Sequence, residues 1–250
     1  MASVAERRDR APAFRQETAM VQSPNGLLAS ILPDAFAILA PHLKTVNLTL
    51  GDVRAEAGGK VKHVYFPHSG VISLVVELSV GDMIETAMVG RDGVLNASSA
   101  LDGLVSLNKG VVQLAGLASA IEVKPLRAFA AKFEDFQSRL IRHEQVLFAQ
   151  SQQSAACNAS HSVENRMCRW LLRMRDLAGS DDLTLTQEFL AQMLGVRRPS
   201  VSIVASVLQK AGLIRYSRGN IRILDVKGML DGSCECYATV KAHYKRLLSP

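Results

Sequence analysis

The chain has few cysteines and no long hydrophobic run. Four cysteines in 250 residues, irregularly spaced, do not form the dense framework of a disulfide-stabilised protein. No stretch approaches the ~20 consecutive apolar residues that a membrane helix needs. The charged segment at residues 1–20 also lacks the apolar core of a signal peptide. These absences predict a cytoplasmic protein without a membrane partner.

Signatures of catalysis are also missing. The sequence shows no nucleophile with a matching base and no phosphate-binding loop, because the short segment Gly90-Arg91-Asp92-Gly93 is isolated. Cys234 and Cys236 could be half of a metal site or a redox pair, but no further metal ligands lie near them in sequence. We therefore expect surface or packing cysteines, no metal and no cofactor. We therefore expect no enzyme. A small-molecule-binding protein or enzyme with an incidental helical domain is the alternative from another functional class.

The positive charge is concentrated at one end of the chain. Residues 1–160 contain 15 basic and 15 acidic residues, whereas residues 161–250 contain 14 basic and 8 acidic ones. The whole net charge of +6 therefore belongs to the last 90 residues. A basic domain joined to a neutral one indicates that only the basic one meets a polyanion, although a solvated basic surface has the same composition.

Residue patterns divide the chain into a tail at 1–24, a β-rich domain at 25–125, a helix at 126–160 and a basic helical domain at 161–250. Short strands separated by glycine-rich turns are typical of a sandwich or barrel such as a jelly roll. The predicted strands are Val61–Phe66, Val71–Leu78, Met83–Val89, Val111–Leu117 and Ala120–Val123.

The segment 126–160 lacks glycine and proline, which favours one long helix. Its coiled-coil-like spacing of apolar residues predicts a dimer interface, while a second apolar face could pack on the β-rich domain. The alternative is a helix that packs only within its own subunit. Cys157 continues the same spacing, which raises the hypothesis of a disulfide between subunits. The predicted interface residues are Phe133, Phe136, Leu140 and Leu147; the second face has Ile141 and Phe148.

Residues 186–212 carry the pattern of a helix-turn-helix. Thr186 is a favourable N-cap, and Gly195 provides the conformational freedom that a tight turn between helices requires. Pro199 falls in the first turn of the second helix, where proline is tolerated, and Gly212 ends that helix. Leu213–Leu224 then predicts a β-hairpin with basic residues, as in a winged helix-turn-helix.

The second helix has the composition of a DNA-reading element. Arginine recognises guanine or phosphate, serine adapts to either, and an aliphatic side chain contacts a thymine methyl group. We expect the hairpin to contact phosphates. The predicted DNA-binding residues are Thr186, Gln187, Arg197, Arg198, Ser200, Ser202, Ile203, Ser206 and Arg218.

The run Leu185-Thr186-Gln187-Glu188, with Ala191, Leu194-Gly195-Val196, Arg198, Val201, Leu208 and Gly212-Leu213-Ile214, resembles the winged helix-turn-helix of the Crp/Fnr transcription regulators. The resemblance covers about residues 25–226. It implies an α+β fold: an N-terminal jelly-roll-like β-roll, a long dimerisation helix and a C-terminal winged helix-turn-helix. It also implies a homodimer that binds a near-palindromic site on double-stranded DNA, with RNA polymerase as a further partner.

The sequence departs from this family in two places. Well-studied members have glutamate and a second arginine where this chain has Pro199 and Ile203, so we expect a different DNA sequence preference. The segment 89–99 lacks the family's Gly-Glu and Arg-Ser pairs for a cyclic nucleotide, so we expect no tight binding; a cyclic-nucleotide-responsive regulator with a divergent pocket is the alternative. The candidate effector pocket is Gly90, Arg91, Asp92 and Gly93. No cysteine precedes Cys157, which excludes the family's N-terminal iron–sulfur cluster.

Overall fold

The computed structural model describes residues 23–102 and 105–248. Of the predicted tail at 1–24, residues 1–22 lie outside the described part of the chain. In the described part of the chain, no helix is long and apolar enough to cross a lipid bilayer.

The first half is a β-roll preceded by two short helices, α1 (Gly26–Ala29) and α2 (Pro33–Leu39). Its antiparallel strands form a three-stranded sheet in the order β1-β7-β3 and a four-stranded sheet in the order β2-β6-β4-β5. Apolar side chains including Ile72, Val89 and Val112 form a buried cluster within the roll. The strands are β1 (Lys44–Leu48), β2 (Val53–Ala55), β3 (His63–Pro67), β4 (Val71–Glu77), β5 (Met83–Val89), β6 (Lys109–Leu114) and β7 (Gly116–Glu122).

The strand prediction was incomplete. It omitted β1 and β2, which are short and mostly not buried and so lack a strong hydrophobic pattern. It also treated Val111–Leu117 as one strand, whereas β6 ends at Leu114 and β7 begins at Gly116. A Cβ at Gly116 would overlap the backbone nitrogen of Gly70. The close approach of the two backbones therefore requires glycine at this corner.

One short helix, α3 (Ser98–Leu101), lies between β5 and β6. Two further helices follow the roll: α4 (Val123–Lys132) and α5 (Glu134–Ser160). The predicted single helix at 126–160 is thus two helices, because Phe133 has an extended backbone with φ −119° and ψ 91°. Pro125 belongs to the first turn of α4, where its missing amide hydrogen costs no helical hydrogen bond.

The second half is a winged helix-turn-helix, so the predicted α+β fold is confirmed. Its small antiparallel sheet has the order β8-β10-β9, and a two-residue turn at Arg218-Gly219 joins the wing strands. Its elements are α6 (Val163–Ala178), β8 (Asp182–Thr184), α7 (Gln187–Leu194), α8 (Arg198–Lys210), β9 (Ile214–Ser217), β10 (Asn220–Ile223), α9 (Val226–Asp231) and α10 (Cys236–Leu248).

The two halves share a hydrophobic core. Val71, Val75 and Met88 of the β-roll belong to the same buried cluster as Trp170 of α6. The indole Nε1 of Trp170 donates a hydrogen bond to Glu85 Oε1 at 2.8 Å, and the Ser73 hydroxyl donates to the other carboxylate oxygen. The polar groups of this junction are therefore paired with one another inside an apolar contact, as buried groups require.

Helix α5 presents a different face from the one predicted for dimerisation. Phe136, Leu140 and Leu147 are almost fully buried within the subunit, and Phe133 packs against the cluster that contains Phe136 and Leu140. The assignment of Phe136, Leu140 and Leu147 to a dimer interface was wrong, because side chains buried within one subunit offer no surface to another. Phe133 is half-buried, and its assignment stays a prediction. The large apolar side chains exposed on α5 are Ile141 and Phe148, at 44% and 66%.

The hypothesis of a Cys157 disulfide between subunits also fails. Cys157 is fully buried, and its sulfur lies 3.5 Å from the sulfur of Cys234 in the same subunit. It therefore faces its own C-terminal segment and not a second copy of α5.

We predict that Glu85 makes stability depend on pH. Burial raises its pKa to about 7, against the opposing effects of the Ser73 and Trp170 hydrogen bonds and of Arg169 and Arg173. A carboxyl group with a raised pKa stabilises the folded state at low pH, and this contribution is lost as pH rises from about 4.5 to about 7. The glutamine of a Glu85→Gln variant does not titrate, so the variant keeps its stability as pH rises while the wild type loses some. The free energy of unfolding of the variant, relative to that of the wild type, should therefore increase by on the order of 3 kcal/mol as pH rises across this range.

Chemical denaturation of both proteins at several pH values measures this difference. The comparison cancels other titrating groups, such as His143, whose pKa burial lowers to about 3. A difference that stays constant with pH would contradict the role assigned to Glu85.

Candidate nucleic-acid interface

Helix α7 is held in place by signals at both ends. The Thr186 side chain accepts a hydrogen bond from the Phe189 amide at 3.2 Å, as predicted for an N-cap. At the other end Gly195 has φ +60°, a left-handed conformation in which a β-carbon is unfavourable. The chain then turns directly into α8.

Helix α8 buries one face and exposes the other. Val201, Ala205 and Leu208 are buried in the domain core, while Ile203 is 66% exposed and Ser206 is also exposed. This follows the helical repeat, since residues three or four positions apart share a face. Arg197 is the N-cap residue and Arg198 the first helical residue, and both are exposed; Ser200 and Ser202 are half-buried.

Two of the predicted DNA-binding residues hold the helices together. The Ser202 hydroxyl of α8 donates a hydrogen bond to Gln187 Oε1 of α7 at 2.6 Å. This bond fixes the second helix of the motif against the first. Sequence reasoning did not anticipate it, because the two residues are fifteen positions apart and both have side chains suitable for DNA contact.

The wing lies beside the start of α8. Thr186, Gln187, Arg198, Tyr216 and Arg218 all line one surface concavity of about 620 Å³. Glu188 also lines this concavity, and its carboxylate lies 4.0 Å from the guanidinium of Arg198. This is a long ion pair between side chains that are both more than 60% exposed. Such a pair contributes little to stability, so Arg198 is free to exchange it for a phosphate or base. The structure thus groups residues from the N-cap of α7, the first turn of α8 and the wing.

Not all of the C-terminal positive charge faces this surface. Arg166, Arg169 and Arg173 of α6 are buried. Arg166 donates to the carbonyl oxygen of Leu194, and Arg173 forms an ion pair with Asp92 of the β-roll at 2.8 Å. The charge excess of the C-terminal segment therefore overstates the charge available to a polyanion, since part of it is used in internal contacts.

Three of the four residues of the candidate effector pocket, Gly90, Arg91 and Asp92, lie at the junction between the two halves. Asp92 pairs with Arg173, and a Cβ at Gly90 would lie 2.8 Å from Leu177, so both positions contact α6. Arg91 and Asp92 line an open cleft of about 670 Å³ formed with α6 and α10. They are placed at a domain contact rather than in the interior of the roll.

Gly93 packs against a buried histidine. A Cβ at Gly93 would lie 2.5 Å from Nε2 of His143, and that nitrogen accepts a hydrogen bond from the Val94 amide at 3.2 Å. Burial lowers the pKa of His143 to about 3, so the ring stays neutral at physiological pH. His143 therefore works as a hydrogen-bond acceptor that ties α5 to the loop after β5.

Thr186 provides a test of capping against DNA contact. We predict that Thr186→Ala lowers the free energy of unfolding by about 1 kcal/mol, because the first turn of α7 loses its side-chain acceptor. Thr186→Ser keeps the hydroxyl and should retain most of the stability. Thermal and chemical denaturation without DNA measures both variants, and equal stability of Thr186→Ala and wild type would contradict the capping role.

Comparison with known proteins supports this interpretation of the domain. Residues 165–231 match the family model of the Crp-like helix-turn-helix domain. No curated protein sequence matches the chain.

The fold is shared with several solved structures. FixK2 from Bradyrhizobium japonicum is similar over 77% of this chain and 98% of its own, with a TM-score of 0.65 at 15% identity. A Crp/Fnr-family regulator from Thermus thermophilus is similar over 75% of this chain and 97% of its own, with a TM-score of 0.60 at 21% identity. A second regulator from that organism covers 82% and 98%, with a TM-score of 0.60 at 19% identity. This chain therefore carries a Crp-like helix-turn-helix domain and has the fold of the Crp/Fnr transcription regulators.

Proposed function

We propose that the protein is a homodimeric transcription regulator that binds near-palindromic double-stranded DNA, with α8 in the major groove. The observation that carries this proposal is the exposed face of α8, whose first residue Arg198 lines one surface concavity together with Arg218 of the wing. In the proposed complex Arg197, Arg198, Ile203 and Ser206 face the groove. Arg218, at the tip of the wing, contacts the phosphate backbone. RNA polymerase is a further partner, and the site of action is the cytoplasm.

The proposed dimer uses the exposed side of α5. Ile141 and Phe148 lie seven residues apart, or about two helical turns, and so share one face. A second copy of α5 packed along this face would remove both side chains from water. Two-fold symmetry then presents two α8 helices to half-sites one DNA turn, ~34 Å, apart.

We propose that a cyclic nucleotide is not the signal. The interior of the β-roll is occupied by apolar side chains such as Leu74, Leu95 and Val112. Arg91, the arginine of segment 89–99, lies at the domain junction and not in that interior. A ligand phosphate in the roll would thus lack a positively charged partner from this segment. The divergent-pocket alternative requires the ligand to bind at the junction cleft instead.

We predict that Arg198→Ala and Arg218→Ala have different effects on DNA binding. Loss of Arg198 should cost about 1–3 kcal/mol and relax the preference for one base position, because a base-edge contact is removed. Loss of Arg218 should weaken binding to all sequences alike and reduce the slope of log affinity against log salt by about 1. Selection of bound fragments from random duplexes, followed by binding titrations over a salt series, measures both.

Lys44→Ala removes the same charge from an exposed position on β1 and serves as the matched control, expected to leave binding unchanged. If both arginine variants bind DNA as the wild type does, the assignment of the reading face is wrong.

We predict that Phe148→Asp dissociates the dimer, because a carboxylate would be buried in the proposed contact between α5 helices. The dimer dissociation constant should rise by about 30-fold or more, the effect of an interface residue worth about 2 kcal/mol. Sedimentation equilibrium measures the change. Val80→Asp is the control, since Val80 is 77% exposed in the β4–β5 turn. A monomeric wild type, or a Phe148→Asp variant that dimerises normally, would refute this interface.

A further inference from the structure

Four potential metal ligands meet where α5, α6 and α10 come together. They are Cys157 and His161 at the end of α5, Cys234 just before α10, and Cys236 at its first residue. One ligand atom from each residue lies within 4.8 Å of all the others. The three cysteines are buried and His161 is half-buried.

The distances within this cluster suit one tetrahedral ion. The sulfurs of Cys157 and Cys234 are 3.5 Å apart, and Nδ1 of His161 is 3.6 Å from the sulfur of Cys236. With Zn–S bonds of about 2.3 Å and Zn–N bonds of about 2.0 Å, tetrahedral ligands are separated by roughly 3.5–3.8 Å. A disulfide requires about 2.05 Å, so the structure has the spacing of ligands around a cation and not of a bonded pair.

The surroundings also fit a zinc site. Nε2 of His161, the ring nitrogen opposite the proposed ligand atom, lies 3.2 Å from a carboxylate oxygen of Glu235. A carboxylate paired with the second nitrogen orients a metal-binding histidine and increases its basicity. The Gln153 amide also donates a hydrogen bond to the sulfur of Cys236 at 3.0 Å, as expected around a ligating thiolate.

Two buried arginines lie beside the cluster and could balance the charge of a metal centre. Three thiolates and one Zn²⁺ have a net charge of −1, which a buried site must balance. Arg166 and Arg169 are buried on α6 and interact electrostatically with Cys157. The Nε atoms of both arginines are buried without a hydrogen-bond partner among the described residues. A negatively charged metal centre gives these two cations a counter-charge.

We propose that Cys157, His161, Cys234 and Cys236 form a structural Zn²⁺ site that fastens α10 to the elbow between α5 and α6. Three sulfurs and one imidazole are the ligands that tetrahedral zinc prefers. All four positions come from the protein, which leaves no open position for substrate and indicates a structural role. The elbow at His161-Ser162 is where the chain passes from the long helix into the DNA-reading half, so the ion fixes the direction in which α6 leaves α5.

The test is metal binding by the full-length reduced chain. Wild-type protein stripped with a chelator and supplied with Zn²⁺ should retain about one equivalent per chain after gel filtration. Supplied with Co²⁺, it should show the intense visible bands of tetrahedral cobalt and the charge-transfer absorption of thiolate ligands. These measurements need no variant, so a substitution that prevents folding does not affect the conclusion.

Substitutions then locate the site. Cys157→Ser, Cys234→Ser and Cys236→Ser should each weaken Zn²⁺ binding and remove thiolate-to-cobalt intensity. Cys168→Ser, which changes a buried cysteine outside the cluster, should retain one equivalent of Zn²⁺ and the cobalt spectrum. Glu235→Gln keeps all four ligands and should weaken Zn²⁺ binding by about 10- to 100-fold.

Failure of the reduced wild type to retain Zn²⁺, an octahedral Co²⁺ spectrum, or Zn²⁺ binding unaffected by the Cys157 and Cys234 substitutions would overturn the proposal. Because the readout is metal content and spectrum, the result is independent of whether the chain binds DNA.

Discussion

The arrangement of the two halves depends on the apolar contact centred on Trp170. This side chain is fully buried between α6 and the four-stranded sheet, and its indole nitrogen is satisfied by Glu85 from the sheet itself. Burial of a tryptophan removes a large apolar area from water, and an unpaired indole N–H there would offset part of that gain. The Asp92–Arg173 ion pair also joins α6 to the β-roll and reinforces the same docking.

Local signals made the helix-turn-helix predictable. The Thr186 cap, the Gly195 turn and the Arg218-Gly219 wing turn each depend on a few neighbouring residues, so their geometry can be inferred from the sequence. Strands β1 and β2 were not predicted, because they are short and mostly not buried and so have no strong hydrophobic pattern. The bounds of α4 and α5 were missed for another reason: an interruption at Phe133 has no glycine or proline to mark it.

The candidate site was harder to predict where contacts join distant parts of the chain. Helix α5 has two apolar faces, and only the position of the β-roll decides that Leu140 is inside and Phe148 outside. Arg166, Arg169 and Arg173 look like surface charge in the sequence but are buried, and Arg166 and Arg173 bind a carbonyl and a carboxylate oxygen. Cys157 and Cys234 are brought together only when α10 returns along α5. None of these relationships has a signal at short range.

The hydrogen bond between Gln187 and Ser202 has a consequence for recognition. Two side chains with versatile donors and acceptors are committed to each other, which reduces the number of groups that α8 and α7 offer to base edges. The aliphatic Ile203 and the rigid Pro199 add no hydrogen bonds. In the proposed complex, a helix with fewer free polar groups would draw part of its selectivity from the width and deformability of the DNA duplex, at base pairs that it does not touch.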